Sequence, residues 1–536
     1  MRALVLITVA AVLLAACSPL GGGGSAAASL ARDQSFEIFE FSRGSVPSTL
    51  DPADVQGSQE VELEQQVFQT LYEPDSGGRL QPIIASGAPE ISADGLTYTI
   101  PLRGNVRFSN GDHVTAADVL YSWNRSANHR AVYGPHLVWP AVKGGAEVLS
   151  GVAPTLTGVA APDDHTIRVT LVRPAGYFQT LISQPTAAIV DHRSVERFGD
   201  KVWWSQPDGL VGSGPFRMTA YNKVEFAEFA PVPRWWKGPT GHLTRVRVDF
   251  TLDQATSVQK MKAGELDVTA IFDGQTLNRV SADTQVSLVS RPGSTWLWRF
   301  NLDTGPFAGV EAGRPGRHAF STAIDRAELV HVACGSDILC VPATGGLITK
   351  GLQGYLGDGQ DVGARFDPAA ARAEYRSWDP DGTKVAGLEL VYVGKENEAQ
   401  DVQFQLKANL GVSLGLRKST LSGGGRAPSW SFFESAWVAD YDHPQNWFDT
   451  LVTCDAAAVY AGCDPRVDAL VLRADALPLD KALPLYVQAG RLYADDVGTL
   501  NIYYRQPVWA VQPWVRGFAA RGQDFPRWSD IWIAQH

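Results

Sequence analysis

The chain has 536 residues, of which 45% are apolar and 19% are charged, and its formal net charge is −11. This length is enough for two or three domains with a sizeable core, and the composition excludes a disordered or membrane-embedded protein. The acidic balance, without a run of Lys or Arg, argues against nucleic acid or an anionic membrane surface as the main partner.

The first 33 residues predict export and attachment to a membrane. Residues 1–16 place a positive charge at Arg2 before an apolar run that is short for a bilayer span but suits a signal peptide. The run ends in LAAC, which resembles the bacterial lipobox, so Cys17 is the expected lipidation site. Residues 17–33 begin with a Gly/Ala/Ser stretch typical of a flexible tether. A signal peptide cleaved elsewhere is the alternative, but the tether favours a lipoprotein on the outer face of the cytoplasmic membrane.

Four further cysteines remain, and an oxidising compartment would pair them. Cys334, Cys340, Cys454 and Cys463 allow three pairings. We expect the two local ones, Cys334–Cys340 and Cys454–Cys463, because each closes a short loop that contains glycine. A zinc site is the alternative, although neither a Cys-x-x-Cys motif nor a paired histidine supports it.

The first elements after the tether predict a strand, a turn and a helix. Residues 96–103 (LTYTIPLR) alternate as a half-buried strand does, and residues 109–112 (SNGD) predict a turn. In residues 114–125, Thr115 and Asp118 have the spacing of a capping box ahead of an apolar helical face.

Later segments continue the mixed pattern. Strands are predicted at 211–221 and 243–252, and a helix over 317–333. Near the end, helical spacing covers 480–498, and the pattern of 499–511 is typical of a strand. The predicted fold class is therefore α/β throughout, with at least two lobes.

Motifs of the common catalytic sites are not found in the sequence. There is no P-loop, no G-x-G-x-x-G after a strand and no H-E-x-x-H. Ser213 lies between two glycines, but a nucleophile elbow needs glycines two residues away, where Val211 and Pro215 stand. We therefore predict a protein that is not an enzyme and needs no cofactor.

An acidic turn stands among aromatic and small residues near position 440. The segment 435–454 (SAWVADYDHPQNWFDTLVTC) contains Asp440, Asp442 and His443. A metal cluster is one interpretation, but adjacent acids in a turn that contains proline are more often solvated or capping groups. We predict no metal site here.

One long segment carries a resemblance to a known family. Residues 71–125 resemble the peptide- and oligopeptide-binding proteins of ABC importers, the extracellular solute-binding proteins of family 5. The matching positions are Leu102, Arg103, Val106, Phe108, Ser109, Gly111, Val114, Thr115, Ala116, Asp118, Val119, Ser122, Trp123 and Arg125. Shorter matches follow in the expected order, and the resemblance covers nearly all of the chain from residue 36: LDPA (50–53), GSGPF (212–216), MKAGELDV (261–268) and the segment 300–330. Two departures from the family's pattern are conservative: SNG (109–111), where an acid commonly precedes the glycine, and GSGPF, where G-T-G-P-Y is common.

The resemblance implies two lobes that are joined by a hinge and close on a ligand, in the large three-subdomain form of the periplasmic-binding-protein fold. Lobe I would comprise residues 34–293 and 509–536, with an extra subdomain at 79–207, and lobe II residues 294–508. Such a protein captures short peptides and delivers them to an ABC permease that is driven by a separate ATPase. We expect a monomer that binds no nucleic acid.

The acidic turn matches the family's segment for the α-ammonium group of the peptide. WVADYDHP is similar to the pattern W-x-x-D followed by a turn and a proline, which places Asp440 at the ammonium group. The resemblance implies that Trp437 lines a side-chain pocket, and that Val438 and Ala439 offer backbone groups to an extended peptide.

Shorter matches imply further contacts. The segment 50–60 (LDPADVQGSQE) resembles the loop that pairs with the ligand backbone, through Gln56, Gly57 and Ser58. Tyr133 stands where an aromatic ring meets the peptide N-terminus, and the partner of the ligand carboxylate stays open. Because members of the family also carry haem, nickel complexes or oligosaccharides, a non-peptide solute is an alternative. A sensing or envelope lipoprotein without a transport ligand is another.

Overall fold

The computed structural model describes residues 29–39, 46–55, 57–75, 78–129, 134–282, 286–419, 430–455, 462–519 and 525–536. The signal peptide, Cys17 with most of the tether, Gln56 and Tyr133 lie outside these residues. Within the described part of the chain, no helix combines the length and the apolar character needed to cross a membrane.

The secondary structure is mixed, as the α/β fold class requires. The strands are β1 (Ser35–Phe39), β2 (Tyr72–Pro74), β3 (Leu80–Pro82), β4 (Glu90–Ile91), β5 (Thr97–Pro101), β6 (Val159–Asp163), β7 (Thr166–Thr170), β8 (Phe216–Asn222), β9 (Phe226–Pro231), β10 (Arg245–Asp249), β11 (Val268–Ile271), β12 (Ser287–Ser290), β13 (Ser294–Phe300), β14 (Cys340–Pro342), β15 (Glu389–Tyr392), β16 (Gly415–Lys418), β17 (Phe432–Val438), β18 (Thr499–Arg505), β19 (Val508–Val511), β20 (Val515–Arg516) and β21 (Trp532–Ile533). The α-helices are α1 (Ser58–Val67), α2 (Ala116–Asn128), α3 (Gly134–Val138), α4 (Gly145–Leu149), α5 (Phe178–Leu181), α6 (His192–Phe198), α7 (Gln254–Lys262), α8 (Gly274–Ser281), α9 (Arg314–Thr322), α10 (Arg326–Cys334), α11 (Pro368–Trp378), α12 (Glu396–Leu410), α13 (Gln445–Leu451), α14 (Pro465–Asp475) and α15 (Leu479–Asp495).

The first large sheet has the strand order β12-β19-β11-β1-β10-β9-β8. Its middle strand, β1, pairs in parallel with β10 and β11, and the other neighbours in the sheet are antiparallel. Phe36, Ile38 and Phe39 of β1 are fully buried. Apolar side chains on successive residues suit a central strand that is covered on both faces.

The second large sheet has the order β14-β18-β13-β17-β15-β16. Its central strand, β13, pairs antiparallel with both β18 and β17. Phe300 of β13 stacks on Phe432 of β17, with ring centroids 5.0 Å apart. The sheet therefore fixes the strand whose end leads into the acidic turn.

Two adjacent segments connect the large sheets. The chain leaves the first sheet after β12, enters the second at β13, and returns between β18 and β19. The backbone N–H of Arg291 donates to the carbonyl oxygen of Pro507 at 3.4 Å. A Cβ atom on Gly293 would lie 2.1 Å from the carbonyl oxygen of Arg505, so only glycine fits there. Two short, touching connections form the hinge of a two-lobed protein.

The single strand predicted over 499–511 is wrong. The segment forms β18 and β19, which belong to different sheets. The break falls at Gln506 and Pro507. Proline has no N–H to donate to a strand ladder, so the pairing ends where the chain changes sheet.

A smaller sheet, β4-β5-β7-β6, forms a separate apolar core with α2. The strand predicted at 96–103 and the helix predicted at 114–125 are confirmed as β5 and α2. Thr115 and Asp118 form the predicted capping box, in which the backbone N–H of Thr115 donates to Asp118 Oδ2 at 2.8 Å. Trp123, on the apolar face of α2, is fully buried.

The strand predicted at 211–221 begins only at Phe216. Its first residues instead pack on the C-terminal end of α1. A Cβ atom on Gly212 would lie 2.1 Å from the carbonyl oxygen of Val67, and the N–H of Gly214 donates to the same oxygen at 2.8 Å. This close approach of two backbones explains the glycines.

The helix predicted over 317–333 is wrong as a single helix, because the segment forms the end of α9 and most of α10. Asp325 begins the second helix, since its carboxylate accepts from the backbone N–H groups of Ala327 and Glu328. The N–H of Asp325 itself donates to Gln405 Oε1 at 2.6 Å. The break therefore depends partly on α12, which is distant in sequence.

Disulfides join Cys334 to Cys340 and Cys454 to Cys463. These are the two local pairings expected from the sequence. The first connects the end of α10 to β14, and the second closes the connection between α13 and α14. Both cross-links lie in the part of the chain that holds the second large sheet and its helices.

Candidate ligand-binding site

A cavity of about 760 Å³ is lined from both sides of the hinge. One wall comes from α1 with the segment before it, from residues 73–74 and 78–80, and from residues 176–188. The opposite wall comes from residues 437–443, Gln353 and the start of α15, while Arg291, Phe525 and Arg527 lie at the hinge side. The volume is within the usual range for a cleft that encloses a small ligand.

The end of β17 presents an open strand edge to this cavity. β15 pairs with β17 only at Phe432 and Phe433, whereas β13 pairs with it as far as Val438. The last residues of β17 therefore have a strand on one side and, among the described residues, none on the other. Val438 is 53% exposed there. An open edge of this kind can exchange backbone hydrogen bonds with an extended chain.

Asp440, directly after β17, is held by Asn446. The side-chain amide of Asn446 donates to Asp440 Oδ2 at 2.7 Å, and its Oδ1 accepts from the backbone N–H of Asp440 at 3.0 Å. The same Oδ1 accepts from Trp437 Nε1 at 3.0 Å. Asn446 is fully buried in α13, so it fixes the acid and the indole together at the cavity wall.

The next residues of the turn have different surroundings. Asp442 Oδ1 accepts from the backbone N–H of Gln353 at 2.7 Å, and burial raises the pKa of this acid. His443 is 3% exposed, its Nδ1 accepts from the N–H of Gln445, and burial lowers its pKa to about 3. The imidazole is therefore neutral near pH 7. These contacts hold the turn that presents Asp440.

The other wall contains two of the residues predicted from the N-terminal loop. Gly57 and Ser58, at the start of α1, line the same cavity as Trp437, Val438, Ala439 and Asp440. Val61 and Glu64 of α1 line the cavity after them, as does Phe68 directly after the end of the helix. The structure thus brings together the described residues of the predicted site, although their roles stay a prediction.

The remaining charged side chains of the cavity differ in their partners. Arg527 Nη1 contacts Glu73 Oε2 at 2.5 Å. Arg79 pairs with Asp75, which does not line the cavity. The guanidinium of Arg291 lies 4.5 Å from the centre of the Phe525 ring.

Glu64 is 2% exposed, and neither of its carboxyl oxygens has a hydrogen-bond partner among the described residues.

The sequence analysis missed two residues of this site. Asn446 follows Asp440 by six residues, and no spacing rule connects an acid in a turn with an amide inside the next helix. Glu64 had a usable signal, because the 3–4 residue spacing of Gly57, Val61, Glu64 and Phe68 places them on neighbouring parts of one helix face.

A separate cluster of two acids and a histidine has the composition of a metal site, but protein groups already bind its carboxylates. Asp118, Asp191 and His192 have ligand atoms within 4.8 Å of one another. His192 Nδ1 lies 3.0 Å from Asp118 Oδ1, and the other Asp118 oxygen caps α2. Asp191 accepts from Arg193 and Asn110. The acids are already used by helix caps and by an arginine, so the cluster needs no ion.

Two lobes, a hinge of two segments and a cavity lined from both lobes define the class of two-lobed ligand-binding proteins. The chain belongs to the bacterial extracellular solute-binding proteins of family 5: the family model described as "Bacterial extracellular solute-binding proteins, family 5 Middle" matches residues 79–458.

Similar proteins extend over nearly the whole chain. The chain is 26% identical over 517 residues to the "Probable deoxycholate-binding periplasmic protein YgiS" of Escherichia coli K12, covering 93% of this chain and 94% of the relative. It is 26% identical over 506 residues to the "Periplasmic oligopeptide-binding protein OppA" of Salmonella typhimurium, covering 90% and 89%.

The fold is similar to a solved structure of an unliganded binding protein. The match to "MppA Periplasmic Murein Tripeptide Binding Protein, Unliganded Open Form" has a TM-score of 0.79 at 22% identity, and covers 95% of this chain and 99% of that one. This likeness establishes the two-lobed fold with a cleft between the lobes.

Proposed function

We propose that this protein is an exported substrate-binding lipoprotein of an ABC importer, which captures dipeptides or oligopeptides between its lobes and delivers them to the permease. The observation that carries the proposal is Asp440, held by Asn446 beside the open edge of β17 in a cavity lined from both lobes. In this role the protein binds and releases its ligand, and performs no chemistry itself.

The open edge and the acid fit complementary parts of a peptide. Backbone groups near Val438 and Ala439 would pair with an extended ligand, and such pairing ignores the ligand's side chains. The carboxylate of Asp440 would receive the α-ammonium group in a charge-assisted hydrogen bond worth about 1.5–3 kcal/mol. Trp437 would line a pocket for one side chain, with Gly57 and Ser58 on the facing wall.

The lobe boundaries are part of the proposal. Lobe I would contain residues 34–293 and 509–536, with the extra subdomain at 79–207, and lobe II residues 294–508. The sheets support this division, except that β19 of the first sheet begins at Val508, one residue before the proposed boundary. The ranges that contain their strands are 35–39, 216–290 and 508–511 for the first large sheet, 294–505 for the second, and 90–170 for the four-stranded sheet.

The proposed location follows from residues outside the described part of the chain. Cleavage after residue 16 and lipidation of Cys17 would attach the protein to the outer face of the cytoplasmic membrane. The tether would then keep a monomeric binding domain close to its permease. Mass spectrometry of the membrane-extracted protein tests this, because a diacylated N-terminal peptide that begins at Cys17 is the expected product.

Native mass spectrometry of the protein purified under mild conditions tests peptide capture. We expect co-purified masses that match short peptides, and we expect Asp440→Ala to lose them. Removing the acid would leave a buried ammonium group without its partner, which costs roughly 2–5 kcal/mol, or roughly 30- to 4,000-fold in affinity.

Asp442→Asn is the matched control, since this acid lies two residues further along the turn and accepts from Gln353. It should retain the peptides. Peptides that stay bound to Asp440→Ala would show that another group receives the ammonium. A single non-peptide mass in the wild-type protein, such as a porphyrin or a bile acid, would contradict peptide capture.

A further inference from the structure

Glu64 occupies a place in the cavity that the proposed contacts with the peptide backbone do not use. It lies on α1, with Val61 one turn before it and Phe68 one turn after it, and all three line the cavity. Its side chain is buried, and no described residue forms a hydrogen bond to either carboxyl oxygen. A buried polar group without a partner costs free energy in the empty protein.

The charges around Glu64 are mainly negative. Burial raises the pKa of Glu64 well above its usual range, and the carboxylates of Asp51, Glu60 and Asp54 raise it further. Asp51 is paired with Arg125, whose Nη1 lies 2.9 Å from Asp51 Oδ1. In the empty cavity these surroundings favour the protonated form of the Glu64 carboxyl group, and they favour the arrival of a positive charge.

The surface next to Glu64 is apolar. Val55, Val61, Phe68 and Ala188 line the same wall of the cavity. A carboxyl group at an apolar wall is complementary to a side chain with a hydrocarbon stem and a cationic end, because lysine and arginine bury their stems on apolar surface. A neutral donor would satisfy the hydrogen bond only, whereas a cation also compensates the surrounding acids.

The other acids of the cavity are less suited to this part. Glu73 is bound to Arg527, and Asp442 accepts from the backbone of Gln353. Asp440 is held by Asn446 on the opposite wall, where the proposed function already uses it. Glu64 is thus the acid of this wall whose carboxyl oxygens have no hydrogen-bond partner among the described residues.

We propose that Glu64 forms a subsite for a basic side chain, so that the preferred ligands are short peptides that carry lysine or arginine at one position. This inference rests on the proposed function, since it assumes a peptide whose main chain lies between Asp440 and α1. When the basic group arrives, the carboxyl group gives its proton to a solvent base. The resulting carboxylate then forms an ion pair with the basic group.

Paired synthetic peptides test the subsite in the full-length protein. Tripeptides and tetrapeptides of alanine are made with either lysine or norleucine at each position in turn, since norleucine keeps the hydrocarbon stem and lacks the charge. Calorimetry should show that lysine at one position binds roughly 10- to 100-fold more tightly than norleucine. In Glu64→Gln, which is isosteric, this preference should disappear while the norleucine peptide binds as before.

Glu60→Gln is the matched control, because Glu60 lies one turn earlier on α1, accepts from Ser48 and is not part of the cavity lining. It should keep the preference for lysine. If lysine and norleucine bind equally to the wild-type protein, or if the preference persists in Glu64→Gln, the subsite is wrong while peptide capture stands. If no peptide of either series binds, both proposals fail.

Discussion

At the residue scale, the position of Asp440 depends on one buried amide. Asn446 contacts the carboxylate and the backbone N–H of Asp440, and also the indole of Trp437. In Asn446→Ala we expect peptide affinity to fall about tenfold and the free energy of unfolding to fall by about 2 kcal/mol, because polar groups lose a buried partner. Calorimetry and urea denaturation measure the two effects.

A double-mutant cycle shows whether Asn446 acts through Asp440. Asp440→Ala and the double variant should then have nearly the same affinity, since the amide has no acid left to position. Asn501→Ala is the control, because Asn501 is a buried amide of β18 that donates to Asp361. The Asn501→Ala variant should have a lower free energy of unfolding and an unchanged affinity for peptide. Additive losses in the cycle would mean that Asn446 does not act through Asp440.

The sequence singled out Asp440 but not Asn446, which holds it. Asp440 stands in a short pattern with tryptophan before it and proline after it, so a local match suffices to select it. Asn446 becomes a contact only because α13 folds back on the turn, which is a tertiary effect. The spacing of Glu64 places it on the helix face of Val61, but its burial is known only from the structure.

At the scale of elements, local capping explains both the correct and the wrong predictions. The capping box of α2 involves Thr115 and Asp118 only, so the sequence was sufficient to predict it. The break between α9 and α10 also contains a cap, Asp325, but an apolar pattern continues across it. Its backbone is additionally held by Gln405 of α12. A periodicity measured along one segment cannot include that contact.

The cap at Asp325 has a measurable effect on stability. Asp325→Ala removes the acceptor for two N–H groups at the start of α10, and should lower the free energy of unfolding by about 1 kcal/mol. Asp325→Asn keeps an acceptor of the same shape. Its free energy of unfolding should remain within a few tenths of a kcal/mol of the wild-type value. Urea denaturation compares them. Equal losses in the two variants would assign the effect to the negative charge instead of the cap.

At the scale of the whole molecule, segments far apart in sequence also meet away from the hinge. The N–H of Gly176, shortly after the four-stranded sheet, donates to the carbonyl oxygen of Asp475 at the end of α14. A Cβ atom on Gly176 would lie 1.9 Å from the carbonyl oxygen of Leu477, so the two backbones touch. Sequence order cannot predict this contact, because about 300 residues separate its two sides.

A pair of neighbouring acids, the half-buried Asp449 and the buried Asp475, lies at this contact. The guanidinium of Arg173 is 3.7 Å from Asp449 Oδ2 and 3.9 Å from Asp475 Oδ2, and the hydroxyl of Tyr486 donates to Asp475 Oδ1 at 2.6 Å. Burial, with the neighbouring carboxylate of Asp449, raises the pKa of Asp475 to about 8. Burial also raises the pKa of Asp449. One carboxyl group of the pair is therefore protonated near neutral pH.

This pair should make the stability of the protein fall as the pH rises. An acid with a raised pKa in the folded state retains its proton between its unfolded value, 3.8, and its folded value, about 8. The folded protein binds more protons than the unfolded chain in this interval, so the free energy of unfolding decreases as the pH increases through it. Asp475→Asn is neutral at every pH and keeps the acceptor for Tyr486, and should therefore remove this dependence.

Thermal unfolding between pH 5 and pH 8.5 measures the difference, and the pH range is set by the raised pKa of Asp475. The midpoint of the wild-type protein should fall by a few degrees relative to that of Asp475→Asn as the pH rises. Asp468→Asn, on the same helix, changes an acid that accepts from the N–H of Cys454 and should follow the wild-type protein. Parallel curves for the wild-type protein and Asp475→Asn would mean that the pair is ionised throughout, with Arg173 compensating both charges. A steeper fall in the wild-type protein would instead mean that a second ionisation loosens the contact between Gly176 and the end of α14.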